Sequence, residues 1–236
     1  MKKTLSCLPV LVAILLFLPA AGNAKAPMWM IDQYIDVYSG QANYQDKEVT
    51  ATVTDIFVIW ATEETASRTV SFSNSNVFGG RWGCWFRDYP RYGLAVDLSF
   101  LDISGQDVEI SAMPLSLMMF YRHPWLTSEE YSYGRVQPYL GFGLSLISAN
   151  ISADFTPDIS RKVDGSASGT GFDFRAGIRL HVSKKFGIFA ELRHLDGSIR
   201  INDEPTPFVF LGAETLEEAS TSISSQQVLV GISVKL

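Results

Sequence analysis

The stretch that decides the fold is residues 172–182 (FDFRAGIRLHV), in which polarity changes at each step along the chain. One face of the extended chain carries only apolar side chains, which are Phe172, Phe174, Ala176, Ile178, Leu180 and Val182. The opposite face carries Asp173, Arg175, Gly177, Arg179 and His181. Alternation with a period of two residues predicts a β-strand with one apolar and one polar face.

The charges on the polar face distinguish two kinds of β-protein. Enclosing charged side chains in a small soluble barrel costs several kcal/mol for each one unless all of them are paired. A membrane barrel avoids most of this cost, because its polar face lines the lumen and its apolar face contacts lipid. A strand of a soluble sandwich, with its polar face in water, is the alternative that one segment leaves open.

The same alternation recurs along the chain. It is found in residues 29–38, 78–86, 94–100, 108–122, 139–146, 188–193 and 227–236. The segment 108–122 is the least regular, since Pro114 lacks a ladder donor and predicts a bulge or irregularity. No run after residue 24 approaches 18 apolar residues, so no transmembrane helix is expected. We therefore predict an all-β fold, an eight-stranded antiparallel up-and-down transmembrane β-barrel, with glycines on the inner face making room for long side chains.

The N-terminus predicts export. Lys2 and Lys3 precede an apolar run at 8–18, and Gly22 and Ala24 suit cleavage after residue 24. The run is too short to span a bilayer, although an uncleaved N-terminal anchor is the alternative. We expect a signal peptide at 1–24 and an outer-membrane β-barrel domain at 25–236, located in a bacterial outer membrane. Cys84 is then the only cysteine, so no internal disulfide is expected.

The connections fall into two length classes. Short connections are expected at the periplasmic end and long ones at the outer end of such a barrel. The periplasmic set is 87–93, 123–135 and 183–187, and the outer set is 41–76, 104–107, 149–169 and 196–222. Within the outer set, residues 62–67 (TEETAS) are interpreted as the tip of a hairpin, and residues 154–168 and 203–220 as solvated loops.

Aromatic residues near the strand ends predict interfacial girdles of the kind found in membrane barrels. The candidates are Trp29, Tyr38, Trp82, Trp85, Phe86, Tyr92, Tyr121, Trp125 and Tyr139.

The chain also resembles the small outer-membrane barrels that include the OmpA transmembrane domain and the opacity-type proteins. The likeness is carried by GGRWGCWF at 79–86, YGLAVDLSF at 92–100, QPYLGFGLS at 137–145, GFDFRAGIRL at 171–180, FGIFAELRH at 186–194 and VLVGISVKL at 228–236. The resemblance implies recognition of the C-terminal strand by the barrel assembly machinery. Leu236 stands where that family usually has a terminal aromatic residue.

The candidate site is a set of charged residues on the inner face. Its members are Asp32, Asp36, Arg81, Asp97, Asp173, Arg175, Arg179, Glu191, Arg193 and Lys235, five acids and five bases. One hypothesis is an ion path or gate. The favoured interpretation is a structural ion-pair network that fills the lumen, because eight strands leave an interior just wide enough for side chains.

The sequence predicts no catalytic, cofactor or metal site. His123, His181 and His194 lack a metal-ligand spacing, and no phosphate-binding fingerprint follows a strand. Some barrels of this size are lipid A deacylases, which have a serine two residues after a histidine. Here Asp196 holds that place after His194 and Ser198 comes at the fourth position, so no enzyme is predicted.

The function expected from these features is that of a non-enzymatic outer-membrane barrel with a structural or surface-interaction role through its outer loops. A narrow channel or transporter for small or hydrophobic solutes is the alternative, and a lipid-modifying enzyme is less favoured. The expected partners are outer-membrane lipid, the assembly machinery and a host or surface ligand at the loops. The net charge of −6 argues against nucleic acid.

Overall fold

The structure is a computed structural model that describes residues 30–44, 47–57, 60–70, 73–104, 108–154, 162–201 and 214–236. The predicted signal peptide at 1–24, together with Trp29, lies outside the described residues. The strands are β1 Met30–Tyr44, β2 Lys47–Phe57, β3 Trp60–Val70, β4 Ser75–Phe86, β5 Tyr92–Ser104, β6 Val108–Arg122, β7 Val136–Asp154, β8 Lys162–His181, β9 Phe186–Ile201 and β10 Glu214–Lys235. Within these ranges, no helix has the length and apolar character needed to cross a membrane.

Eight of the strands close an antiparallel barrel, which confirms the predicted fold. The order around the barrel is β1-β4-β5-β6-β7-β8-β9-β10, and β10 pairs back onto β1. The closing ladder runs from the pair Tyr34–Lys235 to the pair Tyr44–Ser225. Because β10 pairs with β1, the eight-stranded barrel itself has no edge strand with unpaired backbone groups.

The strands β2 and β3 form a hairpin that extends the sheet beyond the barrel. β2 pairs with the first part of β10, from Glu214–Asp55 to Ser220–Thr50. The predicted tip at 62–67 is wrong, because these residues lie within β3 and pair with β2, in a ladder that ends at the pair Phe57–Trp60. The sequence TEETAS has no glycine, proline, asparagine or aspartate, so it lacks the residues that normally end a strand.

The strands also run further than the alternation predicted. β7 reaches Asp154, β8 begins at Lys162, β9 reaches Ile201 and β10 begins at Glu214. The predicted outer loops at 149–169 and 196–222 are therefore strand at both ends, and their middle parts lie outside the described residues. At the opposite end the short connections occupy 87–91, 123–135 and 182–185, close to the prediction.

The predicted irregularity at Pro114 is a gap in a ladder and not a bulge. β5 pairs with β6 up to Leu98–Leu115 and again from Leu101–Ala112, with the register unchanged across the gap. On the other side Pro114 pairs in sequence with Ile147 of β7. The missing donor of proline therefore interrupts one ladder without shifting the alternation of β6.

The polarity of the barrel wall reverses along its length. Among the side chains that the structure describes, the exposed ones are mostly apolar towards the short turns and mostly polar towards the long connections. We call the first part the apolar belt, comprising residues 33–38, 77–86, 92–100, 114–122, 136–147, 171–181, 186–195 and 227–235. We call the second part the polar extension, comprising residues 39–44, 101–104, 108–113, 148–154, 162–170, 196–201 and 214–226 together with the β2–β3 hairpin.

Strand β8 gives the height of the apolar belt. Its outward apolar residues run from Phe172 to Leu180, and all of them are exposed. Nine residues at ~3.3 Å each and a tilt of about 40° correspond to roughly 23 Å along the barrel axis. This is close to the ~25 Å apolar band of outer-membrane barrels.

The prediction of an interfacial girdle is wrong for three of its residues. Tyr38, Trp85 and Tyr139 are buried inside the barrel, where each faces the lumen. Trp82, Tyr92 and Trp125 are exposed on the outside. Aromatic character alone does not separate the two groups, because the lumen of this barrel uses aromatic rings as well as charges.

Candidate functional site

The centre of the lumen is built around Arg175. Its guanidinium donates to carboxylates from three strands: to Asp97 at 2.8 and 3.0 Å, to Asp173 at 2.8 and 3.0 Å and to Glu191 at 3.1 Å. Arg175 and its three partners are fully enclosed, with side-chain exposures of 0%. The planar guanidinium suits this arrangement, because its five N–H groups point in fixed directions that match carboxylate oxygens.

Two further arginines extend this cluster in opposite directions along the barrel axis. Arg81 donates from Nη2 to both oxygens of Glu191 at 2.8 and 2.9 Å and from Nε to Asp97 at 3.2 Å. Arg193 donates from Nη2 to Asp173 at 2.8 Å and from Nη1 to Ser99 at 2.8 Å. The acids of the centre therefore each contact at least two arginines.

Asp36 joins the centre to the end of the barrel that carries the short turns. One of its oxygens lies 3.6 Å from Nη1 of Arg81 and 2.7 Å from Nη2 of Arg179. Eight of the predicted residues thus form one connected network, with four acids and four arginines. They are Asp36, Arg81, Asp97, Asp173, Arg175, Arg179, Glu191 and Arg193.

The other two predicted residues form a separate ion pair at the end of the lumen that carries the short turns. Nζ of Lys235 lies 2.6 Å from Asp32, and the lysine side chain is 39% exposed. Sequence analysis missed Arg122, whose Nη2 lies 4.0 Å from Asp32 and whose guanidinium lies 4.1 Å from the ring of Trp85. Arg122 follows Met118 and Phe120 on the buried face of β6, so the alternation contained the signal. The apolar run at 115–121 obscured it.

Tyrosines complete the network. The hydroxyl of Tyr38 donates to Asp97 at 2.7 Å, and the hydroxyl of Tyr139 donates to Glu191 at 2.8 Å. Each ring lies across from a glycine on the neighbouring strand, Tyr38 from Gly79 and Tyr139 from Gly177. A Cβ atom at either glycine would collide with the facing tyrosine ring, so these glycines provide the space in which the aromatic side chains lie.

The interior of the polar extension and of the adjoining end of the apolar belt is chemically different. It is filled by a cluster of buried apolar side chains that includes Val77, Leu101, Ile103, Ile110, Ala112, Ile147, Ala149, Ala167, Leu195, Ile199 and Leu229. Sequence analysis predicted a polar lumen throughout, and this is wrong for the extension. An eight-stranded barrel is narrow enough for side chains to fill, and here they form an apolar plug next to the charged network.

The outer face of β9 carries the residues considered for catalysis. His194 is half-buried, and Asp196 and Ser198 are exposed further along the same face. His194 pairs in register with Phe174 on one side and Gln226 on the other. Among the described residues, no group of three or more histidines, cysteines, aspartates or glutamates is arranged to hold a metal ion.

Comparison with known proteins relates this geometry to a fold. No protein-family model matches the chain, and no curated protein sequence matches it. Outer membrane protein OprG of Pseudomonas aeruginosa matches with a TM-score of 0.51 and 12% identity over 88% of this chain and 97% of that one. Neisserial surface protein A matches with a TM-score of 0.45 and 14% identity, over 86% and 97% of the two chains. The N-terminal β-barrel domain of Pseudomonas aeruginosa OprF gives 0.44 and 13%, over 89% and 100%. The chain has the fold of the small outer-membrane β-barrels.

Proposed function

We propose that this protein is a non-enzymatic barrel of the bacterial outer membrane that acts through its polar extension, as a structural or surface-interaction protein. The observation that carries the proposal is the reversal of polarity along the barrel. The apolar belt has an apolar outside and a charged inside, as expected in lipid. The polar extension has a polar outside and an apolar core, as expected for a protein part that stands in water.

The lumen supports this function over the channel alternative. A solute crossing the barrel has to pass the charge-balanced network, in which the guanidinium of Arg175 contacts three carboxylates. It then has to pass the apolar plug, whose members Leu195, Ile199 and Leu229 are fully buried. Desolvation in the plug opposes ions and close packing opposes larger solutes, so we propose a closed lumen.

The orientation and location can be tested by labelling single cysteines. Asn150 is exposed on the polar extension and Lys184 is exposed in a short turn at the other end. In Asn150→Cys, with Cys84 replaced by Ser, a membrane-impermeant maleimide should label intact cells. The matched Lys184→Cys variant should react only after the outer membrane is permeabilised. The reverse pattern would contradict the proposed orientation, and a protein recovered in the soluble periplasm would contradict the location.

The role of the extension can be tested by shortening its outer connections. Replacing residues 155–161 and 202–213 with short glycine–serine linkers leaves the described strands complete. We expect this variant to keep the shift in gel migration between unheated and boiled samples that folded outer-membrane barrels show. We also expect it to lose binding to host cells or to other bacteria. Unchanged binding would count against a surface-interaction role, and steady conductance of the intact protein in planar bilayers would favour the channel.

A further inference from the structure

The apolar belt carries a groove on its outward face. The groove has a volume of about 740 Å³ and is lined by residues of β5 to β10 and of β1. Its apolar lining is provided by Leu140, Phe142, Phe174, Ala176, Leu192 and Val228. Ala176 is the small residue of this set, and its register partners are the larger Leu140 and Leu192. The groove therefore follows from a short side chain placed among long ones.

The groove follows a row of outward residues across neighbouring strands, and its two ends lie in different surroundings. Leu140, Ala176, Leu192 and Val228 are successive register partners on four neighbouring strands, β7 to β10. Three strand spacings of ~4.8 Å make this row about 14 Å long. At the β10 end, the row continues to Gln41, where the outward face of β1 becomes polar. One end of the groove thus lies deep in the belt and the other end reaches the boundary with the polar extension.

Three polar side chains stand at that boundary. Asn43, Gln226 and His194 are register partners on β1, β10 and β9, and all three line the groove. Among the described residues, none is hydrogen-bonded to the side chain of any of the three. The row therefore presents amide and imidazole groups that donate and accept hydrogen bonds and that have no partner within the described part of the chain.

We propose that this groove binds one lipid of the outer leaflet, with an acyl chain along Ala176 and an uncharged headgroup on Asn43, His194 and Gln226. The proposal rests on the proposed membrane location, because it is this location that makes lipid the occupant of an outward apolar groove. The headgroup chemistry follows from the row, since amides suit hydroxyl and amide groups. Asp196, two residues beyond His194 on the same face, disfavours a phosphate.

The test is native mass spectrometry of the full mature protein released from tetraethylene glycol monooctyl ether micelles. The probes are two lipids with the same acyl chains, monogalactosyldiacylglycerol and phosphatidylglycerol. We expect a single-lipid adduct with the galactolipid, at about five- to tenfold higher affinity than with phosphatidylglycerol, as the loss of one or two hydrogen bonds implies. Ala176→Phe fills the groove and should weaken both adducts.

Two further variants separate the groove from general effects on the barrel. The double variant His194→Ala/Gln226→Ala should remove the preference for the galactolipid while leaving the apolar lining complete. Leu117→Phe lies on the same belt outside the groove, where Leu117 is exposed, and should leave both adducts unchanged. Each preparation is first checked for heat-modifiable migration, so that binding is compared between folded barrels.

The outcomes are distinct. Equal binding of the two lipids that is insensitive to Ala176→Phe overturns the site, as does the absence of any adduct on a heat-modifiable wild type. In both cases the proposed function stands. A wild type without heat-modifiable migration overturns the proposed membrane barrel, and the lipid site with it.

Discussion

The apolar belt and the polar extension are built from the same strands, but their apolar faces point in opposite directions. In the belt, Leu144 and Phe172 point outward while Asp173 and Arg175 point inward. In the extension of the same strands, Ser148 and Ser168 point outward while Ala149 and Ala167 point inward. The side chains alternate between the two faces throughout, but the apolar face is the outward one in the belt and the inward one in the extension. The same strand can therefore carry its apolar residues on either face, depending on the part of the barrel that it builds.

The two interiors are also stabilised differently, and the largest expected effect lies in the belt. Arg175→Ala should lower the free energy of unfolding in detergent by about 3–5 kcal/mol, because it leaves three buried carboxylates without their shared partner. The measurement is denaturant unfolding followed by tryptophan fluorescence. Arg200→Ala, an exposed arginine of the extension, is the matched control and should change the free energy little. Equal losses in the free energy of unfolding for the two variants would contradict a special stabilising role of the charged network in the belt.

The apolar plug should respond to the loss of volume and not to the loss of charge. Leu195→Ala removes a fully buried side chain of the apolar plug and should cost about 3 kcal/mol, since a cavity remains. Leu192→Ala makes the same chemical change on the outward face of the same strand, where the side chain is 61% exposed. Thermal unfolding in detergent should show a clear drop for the first variant only. Similar melting temperatures would mean that the plug is not packed.

The smallest expected changes in the free energy of unfolding concern the outward faces, where an introduced arginine should have different costs in the belt and in the extension. Leu144→Arg places a charge on the outward face of the belt and should cost about 2 kcal/mol in a phospholipid bilayer, as charges on lipid-facing strand positions do. Ser168→Arg makes the corresponding change on the polar extension, where water is expected, and should be close to neutral. Reversible unfolding from vesicles measures both variants. A large cost at Ser168 would place the boundary of the membrane higher on the barrel than the change of polarity indicates.

The same contrast explains what the sequence could predict. In residues 172–182 the two faces differ so strongly that one segment identifies the strand and its orientation. In residues 165–170 the outward residues are serine and threonine and the inward ones are alanine and glycine. Such small residues look like a loop in a sequence, although they lie in the first half of β8. The extension was therefore underestimated because its alternation has low contrast.

The candidate site was predictable in its members but not in its contacts. Alternation alone assigns Arg81 and Glu191 to the inner face. Arg81 contacts both carboxylate oxygens of Glu191, although the two residues are 110 positions apart in the sequence. This contact depends on the tilt of the strands and on the register of the several ladders between them. The polar row of Asn43, His194 and Gln226 was missed for the same reason, since its three residues come together only through the pairing of β1, β9 and β10.

The double pairing of β10 bears on how long the folded protein lasts. The seam between the two ends of a barrel is where a closed sheet can begin to unzip. Here the ladder of 11 residue pairs between β10 and β1 is followed by 6 more between β10 and β2. Since β1 and β10 are far apart in the chain, we expect the seam to form late and slowly. We also expect the added pairs to slow its opening, so that the β2–β3 hairpin lengthens the lifetime of the native state.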